Sequence, residues 1–437
     1  MYDITSSGAC APCVPTVTAP DLDSFARVDS LGLVITGQQV WPDKSVLICV
    51  PREGDGCCPV CGRAGLVVDH VERMFTHLPM GRMATWLRVR LPRYRCGQCR
   101  KVWRHRLRAT ARAGSKLTRA ADWWALCQVV MDHAPISAVA AVLGVSWCAA
   151  HNAIAEVAQT VLIDNPERLD GVRVLGVDEH CWRHTRKGDK YVTVVIDLTP
   201  VRDQTGPARL LDLVPGRSKA VFAAWIDAQP HSWRDQVEVV AMDGFTGFKT
   251  ASVEHLPDAV EVMDPFHVVA LAGDGLDRCR QRLQQETLGH RGRTGDPLYQ
   301  SRLTLHTGQP LLTDNQRTRL EVLFTDARHA PVKAMWGVYQ RILAAYRDPD
   351  RLRGRTSMKQ LIDTISGLVP KGFIEIKRLG RTMKRRSGDI LAYFNHPRTS
   401  NGPTEAINGR LEHLRGTALG FRNLANYRLR SLLALLG

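Results

Sequence analysis

Between Arg73 and Ala121 the chain contains no aspartate or glutamate. That absence excludes an ordinary solvated surface of balanced charge, because the same stretch holds fourteen lysines and arginines. A run this long and this pure fits contact with a polyanion better than a solvated basic face. Met1 to Pro20 lacks a basic start followed by an apolar core, so no secretory signal is expected. No long apolar run argues for a membrane span. The uncharged segment from Ala134 to Ala155 comes nearest, but it carries Pro135, Ser137, Gly144, Ser146, His151 and Asn152, and reads as soluble helices. No internal repeat is evident.

What is present describes a multidomain globular protein. The 437 residues are 44% hydrophobic and 23% charged, and a prior of ~100–200 residues per domain gives two to four units. The net charge of +16 and isoelectric point near 9.6 call for a polyanionic partner, nucleic acid in the first place and a membrane surface in the second. Twelve cysteines without an export signal imply reduced thiols in the cytoplasm, where clustered pairs suggest metal rather than disulfides.

Residues 1–45 read as a partly disordered leader, with Cys10 and Cys13 in a Pro/Thr-rich context. Residues 46–112 contain Cys58-Pro-Val-Cys61 and Cys96-Gly-Gln-Cys99, joined through an alternating strand at 86–95. Two such knuckles form a zinc-ribbon pattern, in which four thiolates close a tetrahedral structural Zn²⁺ site. Cys57 is adjacent, but only Cys58 gives the two-residue spacing. Residues 113–165 read as helix, glycine turn and a second helix capped by Ser146, a helix-turn-helix DNA-binding domain. Expected DNA contacts are Arg93, Arg95, Arg104 and Arg106 in the basic module, and Trp147, His151 and Asn152 on the second helix. A plain helical hairpin is the alternative for this segment.

From Val172 the periodicity changes to three strands in a meander, then helix, strand, helix and strand. That is the layout of a ribonuclease-H-like α/β domain, assigned to 170–437, and after His267 the chain turns helical and strongly charged for about 130 residues. Several acidic residues lie in or at the ends of its apolar strands, where burial costs several kcal/mol unless a partner such as a divalent cation is present. Asp178 lies in the first strand and Asp243 ends the fourth, strands that neighbour each other in such a sheet. Asp197 and Asp264 show the same local pattern, so pattern alone does not rank them, and Glu179 points to the opposite face from Asp178. A third carboxylate from a later helix would complete an oxygen-rich site for two Mg²⁺ or Mn²⁺ ions.

Asn401-Gly-Pro-Thr-Glu405-Ala-Ile-Asn408-Gly-Arg410, followed by Gly420-Phe-Arg-Asn-Leu-Ala-Asn-Tyr427-Arg428, resembles the C-terminal signature of bacterial insertion-sequence transposases of the ISL3 family. Val177-Asp178-Glu179-His180, Ala241-Met-Asp243-Gly and Asp264-Pro-Phe-His267 are similar to its catalytic strands. The resemblance implies Asp178, Asp243 and Glu405 as a magnesium-binding catalytic triad and makes residues 268–396 a largely helical insertion before Glu405. Asn408, one turn on from Glu405 and on the same helix face, is placed to orient a carboxylate or a phosphate, and Glu412 is the reserve candidate. It implies a nucleoid-associated enzyme that binds terminal inverted repeats and target DNA, cleaves and joins strands, and assembles as a homo-oligomer on DNA. A catalytically inactive DNA-binding regulator and a structure-specific nuclease are the alternatives. Cys181 and His184 suggest a second metal site, against ordinary packing at a strand end.

Overall fold

The computed structural model describes residues 20–132, 134–185, 190–418 and 420–435. Cys10 and Cys13 lie outside them. The chain divides into two compact units: Met1–Arg168 with Leu429–Gly437, and Leu169–Arg428.

The first unit begins with a sheet of β1 (Leu33–Val40), β2 (Lys44–Pro51), β3 (Gly65–Thr76), β4 (Ala84–Cys96) and β5 (Val102–Arg104). The order is β1-β2-β4-β3, with β5 also paired to β4; β2 and β4 run parallel and the other pairs antiparallel. Alternation drives this sheet: Leu87, Val89 and Leu91 of β4 enter a core with Leu33, Leu47 and Phe75, while Arg90 stands in solvent. The sheet thus starts at Leu33, inside the segment read from sequence as a leader, because Leu33 and Leu47 supply part of its core.

Three helices follow: α1 (Arg119–Val130), α2 (Ile136–Leu143) and α3 (Trp147–Ala158). Thr118 caps α1 by accepting the Ala121 N–H, and Ser146 caps α3 by accepting the Ala149 N–H at 3.2 Å. Between α2 and α3, Gly144 takes φ +66°, and the axis bends by 109°. A Cβ at Gly144 would meet Ala84 at 3.2 Å and Trp86 at 3.3 Å, so glycine serves both the turn and the packing. No single helix among the described residues is long and apolar enough to cross a membrane. Leu429 and Leu433, spaced to share a helix face, complete the apolar cluster of α1–α3. Residues 429–435 therefore group with the first unit.

The second unit is built on β6 (Val174–Cys181), β7 (Tyr191–Asp197), β8 (Arg209–Pro215), β9 (Val239–Met242) and β10 (Val260–Met263). Its order is β10-β9-β6-β7-β8. The first three strands form an antiparallel meander; β9 runs parallel to β6, and β10 parallel to β9. Helices α4 (Lys219–Asp227) and α5 (Thr246–His255) make the crossovers, burying Phe222, Trp225, Ile226 and Phe248 against Val177, Val240 and Met242. Beyond β10 the chain is helical: α6 (Pro265–Leu288), α7 (Ala330–Arg347), α8 (Arg351–Ser366), α9 (Ile374–Arg385) and α10 (Ser387–Asn395) share one core around Leu276, Met335, Ile342, Leu361 and Met383. Then α11 (Gly402–Thr417) returns to the sheet, and α12 (Leu424–Ala434) follows a break at which Gly420 takes φ +92°.

Candidate active site and metal centre

The four sulfurs of Cys58, Cys61, Cys96 and Cys99 all lie within 4.8 Å of one another. Three of the separations are 3.4, 3.5 and 3.8 Å. Tetrahedral Zn²⁺ with Zn–S of ~2.3 Å has S···S edges of ~3.8 Å, so the cluster is consistent with a structural zinc ion. The backbone N–H groups of Cys99 and Gln98 point at the Cys96 thiol and pull it down to about 6, favouring the thiolate that a metal requires. Cys57 takes no part; it forms a backbone bridge to Ala64.

Around this cluster the basic side chains have unequal surroundings. Arg95, Arg104 and Arg106 are exposed, whereas Arg93 is held by Asp69 from β3 through Nε at 2.7 Å and a second contact through Nη2. Arg93 and Arg104 are directly opposed across β4 and β5, a repulsive pair that the Asp69 carboxylate relieves. On α3, Trp147 is half exposed and stacks on His151 at 4.8 Å, and His151 Nδ1 lies 3.4 Å from the exposed Asn152 side chain.

In the second unit, parallel pairing of Val177 with Met242 carries Asp178 and Asp243 to the same end of adjacent strands. Asp178 Oδ1 accepts the Glu179 N–H at 2.8 Å, and Oδ2 accepts from Asn408 Nδ2 at 3.0 Å. Burial pushes the Asp178 carboxyl up; the Glu179 N–H opposes this, the charge of Asp243 adds to it, and nearby His267 opposes it, leaving it at about 6. Asp243 accepts the Phe245 N–H at 2.8 Å.

Glu405 is exposed in the first turn of α11, three residues before Asn408 and so on the same helix face. The start of α11 is fixed by buried Asn401, whose N–H donates to Asp264 Oδ1 at 2.9 Å and whose side chain donates to the Val177 carbonyl at 3.3 Å. Asp264 is buried at the start of α6; burial raises its carboxyl, the Asn401 N–H and His267 lower it, and Glu405 raises it. Two buried acceptors here, Asp264 Oδ2 and Asn408 Oδ1, have no hydrogen-bond partner. Among the described residues only the cysteines bring three or more metal-type donors within 4.8 Å, so the carboxylates form an open arrangement rather than a closed cage.

The competing acidic residues have other occupations. Asp197 is buried under Arg209 (2.5 and 3.0 Å) and accepts the Thr199 N–H, a structural ion pair. Glu179 binds Arg217 at 3.1 Å, and Glu412 binds Arg415. Cys181 Sγ lies 3.7 Å from His184 Nδ1, but no third donor joins them among the described residues. Sequence reasoning missed His267, Asn401 and His180. Buried His180 accepts or donates at 3.0 Å to the hydroxyl of fully buried Tyr427, and burial holds its imidazole down at about 4. The Asp264-Pro-Phe-His267 and Asn401 motifs carried the first two, with no periodicity to reveal a partner far away in sequence.

Comparison with known proteins fits this geometry to a family. A transposase family model, DDE_Tnp_ISL3, matches residues 175–431. The chain belongs to the ISL3 family of transposases. A second model, described as the zinc-finger of transposase IS204/IS1001/IS1096/IS1165, matches residues 55–99 and so takes in all four cysteines. The transposase for insertion sequence element IS1557 of Mycobacterium tuberculosis is 27% identical over 317 residues, covering 66% of this chain and 65% of that protein, just under two thirds of its length. The transposase for IS1001 of Bordetella parapertussis is 24% identical over 372 residues, covering 84% of this chain and 85% of its own. Among solved structures, the Drosophila P element transposase strand transfer complex aligns with a TM-score of 0.40 at 11% identity, over 71% of this chain and 91% of that one.

Proposed function

We propose that the protein is a DNA transposase that cleaves and joins strands at the ends of an insertion sequence, with Asp178, Asp243 and Glu405 as its catalytic carboxylates on a ribonuclease-H-like sheet. The observation that carries this reading is the convergence of Asp178 and Asp243 at adjacent strand ends, with the helix of Glu405 tied to Asp178 through Asn408. A divalent cation fits the residues present. The donors are all oxygen, two buried acceptors nearby lack partners, and Asp178 is pushed up by burial and further by the charge of Asp243. Asp178, Asp243 and Glu405 would hold Mg²⁺, which when bound supplies charge neutralisation and activation of the attacking oxygen in an in-line phosphoryl transfer.

The remaining groups position these three. Asn408 fixes one Asp178 oxygen, Asp264 and Asn401 seat the first turn of α11 on β6, and His267 lies near enough to Asp178 and Asp264 to lower both carboxyls. The four-cysteine module and the bent pair α2–α3 are read as the parts that grip terminal inverted repeats, with the second helix offering Trp147, His151 and Asn152 to a groove. Arg95, Arg104 and Arg106 reach phosphates, and Arg93 serves the sheet through Asp69. Pairing of two element ends calls for a homo-oligomer on DNA.

The test is Mg²⁺-dependent cleavage and strand joining on a duplex carrying the element end. Asp178→Ala, Asp243→Ala and Glu405→Ala are each expected to reduce both steps by roughly a hundredfold or more while leaving binding in place. Intact cleavage in the Asp178→Ala or Glu405→Ala protein overturns the triad. Cleavage without joining favours a nuclease, and binding without cleavage by the wild-type chain favours a regulator.

A further inference from the structure

Helix α9 has two faces of different chemistry. Ile376, Leu379, Gly380 and Met383 are buried against the helical core; a Cβ at Gly380 would meet the Ile365 carbonyl oxygen at 2.0 Å, so this face is pressed onto α8. The other face carries Lys377, Arg378, Arg381, Lys384 and Arg385, all exposed. The sole acidic residue of the helix, Glu375, is half-buried and held by Arg282 at 2.8 and 3.0 Å, so it does not offset them. Lys384 pairs with Asp363 at 2.7 Å, whereas no ion pair among the described residues engages Lys377, Arg378, Arg381 or Arg385.

Helix stability does not account for this arrangement. Cations favour the last turn, which covers Lys384 and Arg385, but Lys377 and Arg378 lie in the N-terminal half, nearer the positive end of the dipole. Lys377, Arg381 and Arg385 are spaced four residues apart, a repeated like-charge contact that destabilises a helix in water. A polyanion along the helix reverses that cost. The helix is also tied to the candidate active site. The next residue, Arg386, is only 4% exposed; its Nε pairs with Asp389 at 2.6 Å, its Nη1 donates to the Gly244 carbonyl at 3.0 Å, and its Nη2 is buried without a partner. The basic face therefore ends at the turn that follows Asp243.

We infer that the exposed face of α9 is a second phosphate-binding surface, which holds the backbone of duplex DNA beside the scissile bond through Lys377, Arg378, Arg381 and Arg385. The inference rests on the proposed function for its partner, and names the part of the DNA that this face takes. The four contacts carry no base information, so they set affinity and register at the site, independent of end sequence.

The experiment compares the full-length wild type with a variant carrying Lys377→Gln, Arg378→Gln, Arg381→Gln and Arg385→Gln. Binding to a duplex of unrelated sequence is measured over a range of salt, without Mg²⁺. Each lost phosphate contact flattens the slope of log K against log salt by ~0.9, so the variant's slope is expected to be shallower by about 3 to 4, with at least about tenfold weaker binding at low salt. A charge-preserving variant, Lys377→Arg with Arg378→Lys, Arg381→Lys and Arg385→Lys, is expected to keep the wild-type slope, which separates lost charge from lost fold. An unchanged slope in the glutamine variant overturns the inference, as does a loss confined to anionic lipid vesicles. Because binding is read without cleavage, a wild-type chain that never cuts DNA sinks the proposed chemistry and leaves this surface standing. A glutamine variant that binds and cuts like wild type does the reverse.

Discussion

The protein assembles groups of like charge in two places and handles them in opposite ways. In the four-cysteine module the sulfurs are already at the spacing of a tetrahedron, and backbone N–H groups favour the thiolate of Cys96. Around Asp178, Asp243 and Glu405 the carboxylates stay apart, burial works against the charged form of Asp178, and buried oxygens nearby lack partners. A closed set of donors leaves no position for a substrate, so it serves the fold. An open set under electrostatic tension leaves positions for ion, nucleophile and phosphate, as the proposed function requires.

The largest expected effect lies on the closed side. Cys96→Ser, or strong chelation, removes one corner of the tetrahedron, and a structural zinc site contributes about 10 kcal/mol or more to folding. Such treatment is expected to unfold the module of β3–β5 and abolish preference for the element end over unrelated duplex, while the second unit keeps its own thermal transition. Zinc analysis, with one ion per chain in the wild type, and calorimetry check this; a Cys96→Ser protein with an unchanged melting profile breaks the contrast.

A smaller effect lies on the open side. Asp178 is raised from 3.8 to about 6, so its ionised form carries a penalty, fully present above about pH 6 and relieved as pH falls toward 3.8. In metal-free protein, Asp178→Asn is therefore expected to stabilise the second unit at pH 7.5 by on the order of 3 kcal/mol, with the gap closing by pH 4. Thermal melts of both proteins across that range test the sign. At subsaturating Mg²⁺, wild-type cleavage is expected to fall as the medium is acidified, because proton and cation compete for the carboxyl.

The smallest effect concerns positioning. Asn408→Ala removes the 3.0 Å donor to Asp178 and is expected to lower kcat about tenfold, equivalent to ~1.4 kcal/mol, with little change in KM for DNA. Asn408→Asp is expected to be worse than alanine, because it adds another carboxylate to a site that already repels them. A change in KM alone would move Asn408 from the chemistry to binding.

Much of this is legible in the sequence alone. The Cys58/Cys61 and Cys96/Cys99 spacings give their chemistry directly, because a metal reads local spacing. Strand alternation and strand order brought Asp178 beside Asp243, and the motif around Glu405 pointed to α11. Pairings across long separations were not legible. Nothing in the local pattern tells that Asp69 is assigned to Arg93, that Asp264 receives the Asn401 N–H, or that Leu429 and Leu433 pack into the first unit rather than the second. Asp197 and Asp264 looked like Asp243 for the same reason: a strand-end carboxylate announces burial, and only the fold says whether an arginine, a backbone amide or an open face meets it.

The hydrogen bond between Asp264 and Asn401 joins residues 137 apart in the sequence. The whole helical region thus leaves and re-enters the sheet through a single stitched doorway. The entropy of closing a loop rises only with the logarithm of its length, so segments of very different size between these two residues would cost nearly the same to accommodate. The doorway lets that region lengthen, shrink or acquire new surfaces over evolutionary time, while Glu405, just beyond the stitch, keeps its bearing on the sheet.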